Sequence, residues 1–177
     1  MSLHAEYTNR LSIIEQFGSC TLQEYVHQSG YYYNVMLYRD KNGQISANTI
    51  IKIMRFFPMK GGSSCYCQTV EHSYLLDKCT EVLSRLNWVG FADFDILEET
   101  ETGALKIIEI NPRVPSSLQA SVAAGVDFAK IIVADEFGWP IPKYDYHIGR
   151  EVRWFGLDVM WFLFSKDRFR FRPSWFK

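Results

Sequence analysis

Long hydrophobic runs are absent from this 177-residue chain. The longest apolar stretch, Val159-Met160-Trp161-Phe162-Leu163-Phe164, is far short of the ~20 residues that a membrane-spanning helix needs. A surplus of one charge is absent too. Lys and Arg total 19 against 20 Asp and Glu, a net charge of −1, which argues against a generally basic nucleic-acid binder. There are no repeats and no low-complexity segment. The start, Met1-Ser2-Leu3-His4-Ala5-Glu6, has no signal-peptide pattern, so the expected localisation is cytoplasmic. Cysteine is scarce, and Cys20, Cys65, Cys67 and Cys79 read as reduced thiols that, with His72, fit no structural zinc spacing. What the chain does have is core material. It is 47% hydrophobic and 16% aromatic, enough for one compact domain with or without an appendage, and too apolar for disorder.

Hydrophobic periodicity divides the chain into short elements. Residues 5–17 read as an amphipathic helix carrying Leu11, Ile13, Ile14 and Phe17, ended by Gly18. Thr21 to Val26 reads as a strand, Tyr31–Arg39 and Ile45–Phe56 as two more, with the Asn42-Gly43 pair between them as a hairpin signal. Met59 to Ser64 reads as a loop. Ser73 to Leu86 has the clearest helical spacing, with Leu75, Leu76, Cys79, Val82, Leu83 and Leu86 on one face. Gly90–Leu97 and Leu105–Asn111 are expected strands, and Ser116–Ala124 and Asp127–Phe137 expected helices. Antiparallel hairpins mixed with helices predict an α+β fold, an antiparallel sheet flanked by helices.

The sharpest chemistry sits in the hairpin Phe91–Asn111. Side chains alternate along a strand, so Asp93 and Asp95 share a face, as do Glu109 and Asn111. A turn centred near Thr102 sets Asp95 opposite Glu109, where cross-strand Cβ atoms lie ~4.5–5.5 Å apart. Two carboxylates and an amide on one spot repel unless a cation joins them, and an all-oxygen set suits Mg²⁺ or Mn²⁺ with substrate phosphates completing the shell. Glu109 lies inside Ile107-Ile108-Glu109-Ile110, where a lone charge is costly. Asp95, Glu109 and Asn111 are therefore the expected metal ligands, with Asp93 in reserve should the register slip by two. Arg113, just past Pro112, is placed to clamp a phosphoryl group or a carboxylate. Ser116-Ser117 opens a helix and reads equally as an N-cap or as an anion site.

This arrangement resembles the ATP-grasp superfamily. The resemblance is carried by Asp95, by Glu109-Ile110-Asn111-Pro112-Arg113 and by the small-residue stretch Ser121-Val122-Ala123-Ala124-Gly125-Val126-Asp127. Leu22-Gln23-Glu24-Tyr25-Val26 looks like the family's strand along the adenine, and Gly61-Gly62-Ser63-Ser64 and the helix entry after Thr69 fall where the family has them. The likeness covers residues 5–142 and is nearest to carbamoyl-phosphate-synthase-like enzymes and related carboxylate–amine ligases. It implies the C-terminal lobe of an ATP-grasp fold and ATP with Mg²⁺ as cofactors. It further implies activation of a small-molecule carboxylate as an acyl phosphate for attack by an amine-type nucleophile. By resemblance Asp95, Glu109 and Asn111 hold the metal, while Asn111 and Arg113 act in phosphoryl transfer. Backbone groups of Gln23, Glu24, Tyr25 and Val26 bond the adenine. Tyr31-Tyr32-Tyr33 stands where the family often has an acidic ribose contact. The family's first ATP-binding lobe is expected ahead of residue 5, as part of a longer chain or as a separate subunit, and this chain alone is expected to be inactive.

Two other readings compete. A metal-dependent nuclease also pairs an acid on one strand with Glu-x-Lys on the next, but Asn111 occupies the lysine position and Lys106 points to the opposite face. A non-catalytic binding module derived from such an enzyme would use the tail for docking. That tail, 143–177, is a basic aromatic extension. It holds eight basic and four acidic residues, against eleven and sixteen in the rest, so +4 faces −5. A helix over 154–165 followed by a short exposed strand is expected there, packing against the core or against a neighbour, either the remainder of the enzyme or a second copy of the chain.

Overall fold

The computed structural model describes residues 15, 16, 18, 23–59 and 61–176. The helix expected over 5–17 falls almost wholly outside them, as do Cys20, Thr21 and Leu22. Within them one antiparallel sheet runs β5-β4-β1-β2-β3-β6. Its strands are β1 Gln28–Arg39, β2 Ile45–Phe57, β3 Ser63–Thr69, β4 Gly90–Glu99, β5 Leu105–Asn111 and β6 Glu151–Arg153. Four helices flank it: α1 Ser73–Arg85, α2 Leu118–Ala123, α3 Phe128–Glu136 and α4 Phe155–Phe164. The α+β architecture is the expected one. No helix among the described residues is long and apolar enough to cross a membrane.

The sheet is covered on both faces, which is why its central strands read as near-continuous apolar runs. Tyr33, Val35 and Leu37 of β1 pack with Ile50, Phe94 and Ile96 against Leu75, Cys79 and Leu83 of α1. The intervening residues Met36 and Tyr38 pack with Ile51, Ile53 and Phe91 against Ala120 of α2, Phe128 and Ile131 of α3, and Val126 between them. Asp127 caps α3 by accepting from the Lys130 N–H at 3.2 Å. The β1–β2 connection is longer than a two-residue turn. The Asp40 side chain accepts from the N–H groups of Asn42 and Gln44, both at 2.9 Å, and Gly43 takes φ +82°.

Four expectations change. Residues 23–27 carry no regular secondary structure, so the strand expected through Val26 is not formed and β1 begins at Gln28. Ser63 and Ser64, expected in a loop, start β3, whose polar and cysteine-rich sequence Ser63–Thr69 hides the strand period. The short strand β6, not expected at all, pairs with β3, setting Tyr66 opposite Arg153. The strand expected around residues 168–172 is instead a run of turns and bends.

The helix expected over 154–165 is present as α4 and lies on β2 and β3. Buried Arg55 of β2 makes a bidentate pair with Asp158 of α4, Nε to Oδ1 at 2.7 Å and Nη2 to Oδ2 at 2.9 Å. Its guanidinium carbon lies 4.3 Å from the Tyr66 ring centroid and 4.9 Å from that of Trp161. The last residues close over this pair: Trp175 Nε1 donates to the Asp158 carbonyl at 3.1 Å, and Arg153 Nη1 to the Trp175 carbonyl at 2.8 Å.

Candidate functional site

The face of the sheet that carries α2 and α3 changes character toward β5. Asn34 of β1, Asp95 of β4 and Glu109 of β5 stand in one row across three strands, and Met36, Asp93 and Asn111 in the next. The expected opposition of Asp95 and Glu109 is therefore the observed one. Beyond it the ladder slips by one residue, with Ile96 facing Ile107, so a bulge closes the row of ligand candidates. Alternation does the rest. Ala92, Phe94 and Ile96 are spent on the α1 face, which turns Asp93 and Asp95 to the other. At the end of β5, Pro112 has no N–H for the ladder, and the chain leaves with Arg113 exposed.

Burial makes this row expensive. Asp93 is 1% exposed, Asn111 6% and Asn34 7%. Asp95 is held by neutral donors: Asn34 Nδ2 to Oδ1, Asn111 Nδ2 to Oδ2 at 3.2 Å, and the Tyr32 hydroxyl. Burial nonetheless raises its pKa above the ordinary range, and the Glu109 charge adds to the rise. Asp93 fares worse. Its Oδ1 is buried with no partner, and burial, then the Asp95 charge, push its pKa to about 8 against a partial offset from Arg113. Burial and the Asp95 charge likewise raise the pKa of Tyr32. Among the described residues no ion pair joins Asp93 or Asp95 to a cation.

A cavity of about 210 Å³ opens over these groups, lined by Tyr32, Asn34, Asp93, Asp95, Asn111 and Arg113 on one side and by Ser63, Ser64, Ser116 and Ser117 on the other. Gly62 lets the β2–β3 turn close down on it. A Cβ there would lie 2.1 Å from the Pro58 carbonyl oxygen. Tyr32, Phe56 and Gly62 also line an adjoining cavity of about 840 Å³ with Tyr25, His27, Met59, Thr100, Glu101 and Ile108. The segment that holds Gln23, Glu24, Tyr25 and Val26 borders this larger space. It is fastened to the β4–β5 turn, where Thr100 donates its N–H at 2.7 Å and its hydroxyl at 2.9 Å to the His27 carbonyl.

Of the residues singled out from the sequence, Asp95 and Asn111 meet directly. Glu109 lies opposite Asp95 on the exposed side of β5, close enough for its charge to act on both aspartates, and Arg113 stands at the cavity rim. Among the described residues no group of three His, Cys, Asp or Glu side chains is placed to hold a metal ion. Ser117 is the N-cap of α2 but makes no side-chain cap bond. Its hydroxyl donates instead to Asn34 Oδ1 at 3.2 Å. Asn34 was not among the expected site residues. Its signal is a lone amide inside the apolar run Tyr31–Tyr38.

No family model matches the chain, and no curated protein sequence does. Solved structures do. The biotin carboxylase–βγ-ATP complex from Campylobacter jejuni matches at TM-score 0.62 with 13% identity, over 81% of this chain and 34% of that one. The biotin carboxylase domain of 2-oxoglutarate carboxylase from Hydrogenobacter thermophilus, in complex with MgADP, ADP and bicarbonate, matches at 0.63 with 14% identity, over 84% and 35%. N5-carboxyaminoimidazole synthetase from Staphylococcus aureus, complexed with ADP, matches at 0.64 with 12% identity, over 82% and 39%. The chain thus spans little more than a third of the structures it resembles. The fold is ATP-grasp-like, as the motifs implied.

Proposed function

We propose that this chain is the metal- and phosphate-holding C-terminal half of an ATP-dependent ligase that activates a carboxylate for attack by an amine or similar nucleophile. One observation carries the reading. Two aspartates of β4, Asp93 buried with an orphaned oxygen and Asp95 half-buried, face a cavity with Glu109 on the adjacent strand. Among the described residues no ion pair neutralises them, Arg113 at the rim giving only a partial offset. A structure without use for such a cluster would have replaced it with apolar groups, because unpaired buried charge is destabilising. The donors are all oxygen, which fits Mg²⁺ or Mn²⁺. Bound there, the ion would neutralise phosphate charge during in-line transfer.

Asp95, Glu109 and Asn111 hold the metal in this reading, with Asp93 behind them as a further negative charge. Arg113 at the rim binds the transferring phosphoryl oxygens or the substrate carboxylate, and Asn111 orients the same group. The adjoining larger cavity is of nucleoside size. Backbone N–H and C=O groups from Gln23 to Val26 on its border bond the adenine edge, which requires no particular side chain. The other lobe of an ATP-grasp enzyme closes over the nucleotide, so the chain by itself holds MgATP weakly.

Manganese titration of the 177-residue chain, followed by the electron paramagnetic resonance signal of free Mn²⁺, tests the metal site. Saturable binding that is lost in Glu109→Gln and Asn111→Ala is expected, with thermal melting unchanged. Equal binding in the wild type and both variants removes the assignment. Calorimetry tests the half-site claim separately, since micromolar MgATP affinity of this chain would contradict it. In the complete enzyme the same two variants should abolish ATP-dependent ligation.

A further inference from the structure

The polar groups behind the acidic cluster form a directed chain. Ser117 Oγ donates to Asn34 Oδ1 at 3.2 Å, Asn34 Nδ2 donates to Asp95 Oδ1, and Asn111 Nδ2 donates to Asp95 Oδ2 at 3.2 Å. Ser117 is 2% exposed and Asn34 7%, so the bond between them is made out of water, while Asp95 at the far end is half-buried. The ladder bonds of β1 are backbone bonds to β2 and β4, which an apolar side chain at position 34 would leave intact. A buried amide there has to be explained by what its two ends hold.

We infer that Asn34 is a positioning residue: it fixes the plane of the Asp95 carboxylate toward the cavity, and Ser117 fixes Asn34. The chemistry sets the direction. An amide has one accepting and one donating end; the ionised carboxylate only accepts, so it takes the N–H₂ end and leaves the amide oxygen to accept from the Ser117 hydroxyl. Turned round, Asn34 would set oxygen against oxygen at Asp95. With one amide on each oxygen, Asp95 is held before any cation arrives, so no rotamer freedom is lost on binding. Asn111 ends β5 opposite Asp93, whereas Asn34 sits on β1, one strand further in, in the row of Asp95 and Glu109; it lines the cavity and spends its donating end on Asp95.

This inference rests on the reading of Asp95 as a metal ligand, and one titration separates the two. Mn²⁺ affinity is measured for the wild type, Asn34→Ala, Asp95→Ala and the double variant, with circular dichroism melting beside each. Loss of a group that orients a metal ligand costs about 10-fold in affinity. Asn34→Ala should show that loss, Asp95→Ala a larger one, and the double variant no more than Asp95→Ala alone. Unchanged affinity in Asn34→Ala, while Asp95→Ala loses it, overturns the positioning role and leaves the metal reading standing. So does a double variant weaker than Asp95→Ala, because Asn34 would then act independently. Undiminished binding in Asp95→Ala overturns the metal reading itself. Should Asn34→Ala not fold, Ser117→Ala replaces it. It leaves every Asp95 bond in place but frees the amide to turn, so a smaller loss in the same direction is expected, and full affinity there overturns the relay.

Discussion

Two regions of this sheet bury charge, and they do it in opposite ways. At one end Arg55 and Asp158 are 2% and 1% exposed, and the carboxylate meets its counter-charge through two hydrogen bonds inside a ring of Tyr66 and Trp161. At the other, Asp93 and Asp95 are held by amides and hydroxyls or by nothing, and Asp93 keeps an unpartnered oxygen. The first arrangement is closed on itself, and all that an outside ion could add there is competition. The second is open by one positive charge. The difference separates a structural charge pair from the proposed binding site more sharply than the bare presence of charge, since both regions are rich in it.

The largest expected effect tests the closed region. Deleting residues 150–177 removes β6 from the sheet edge and strands Arg55 in the core. The shortened chain should fail to show a cooperative thermal transition and should lose solubility. A soluble product with the melting temperature and mass per particle of the parent would make the tail an appendage and erase the comparison. Next in size, Asp158→Ala leaves the Arg55 guanidinium buried without its carboxylate. Breaking such a pair from one side costs about 3–5 kcal/mol. Urea unfolding should show it as a lower midpoint at unchanged slope.

Asp93→Asn sharpens the comparison from the open side, and its sign is reversed. Folding raises the Asp93 pKa to about 8, from about 3.9 for an unperturbed aspartate. The folded state therefore holds a proton that the unfolded state releases. This contribution to stability is fully present below about pH 4 and is lost as pH rises through about 8. Without metal, the protein should be less stable at pH 8.5 than at pH 5.5 by this group's share. Asp93→Asn should flatten that slope while leaving stability at pH 5.5 nearly unchanged. Equal slopes in parent and variant, read from urea midpoints across the pH range, would show that Asp93 is not the open charge.

How much of this could be read beforehand depends on where the signal lies along the chain. The register of the acidic hairpin was legible because it rests on period-two alternation and one turn position, both local, and Asp95 opposite Glu109 follows from those two facts. The α1 face was legible for the same reason at helical period, although Leu86 lies past the helix end and is 61% exposed. β3 and β6 were not. Ser63–Thr69 has only Tyr66 as a large apolar side chain beside its cysteines, and β6 has three residues; β3 is a strand through its pairing with β2 and β6, and β6 through its pairing with β3. Asn34 failed for a related reason. Its role depends on Asp95, 61 residues on, and Ser117, 83 residues on, and no local pattern spans such separations. The strand expected over Thr21–Val26 shows the converse: in its described part, 23–26, alternation makes no ladder.

The smallest effect is expected at Arg153, and it shows whether the closed region is a pair or a network. Arg153 Nη1 lies 3.8 Å from Asp158 Oδ2, and its side chain is 26% exposed. Counting charges, Asp158 has two cations. Counting bonds, it has one, because both its oxygens are already within 2.9 Å of Arg55 nitrogens and Arg153 directs its short bond to the Trp175 carbonyl. A partly exposed charge at such distance contributes at most about 1 kcal/mol, and its guanidinium carbon, 4.8 Å from the Tyr66 ring centroid, acts through packing as much as charge. Arg153→Met keeps most of that packing and removes the charge together with the bond to the Trp175 carbonyl. It should shift the urea midpoint by less than a quarter of the Asp158→Ala shift, with no dependence on ionic strength beyond that of the parent. A loss as large as that of Asp158→Ala would mean that Asp158 is neutralised by the two arginines jointly. The contrast between the ends of the sheet would then be one of degree, three groups against none, and no longer a bonded pair against an open site.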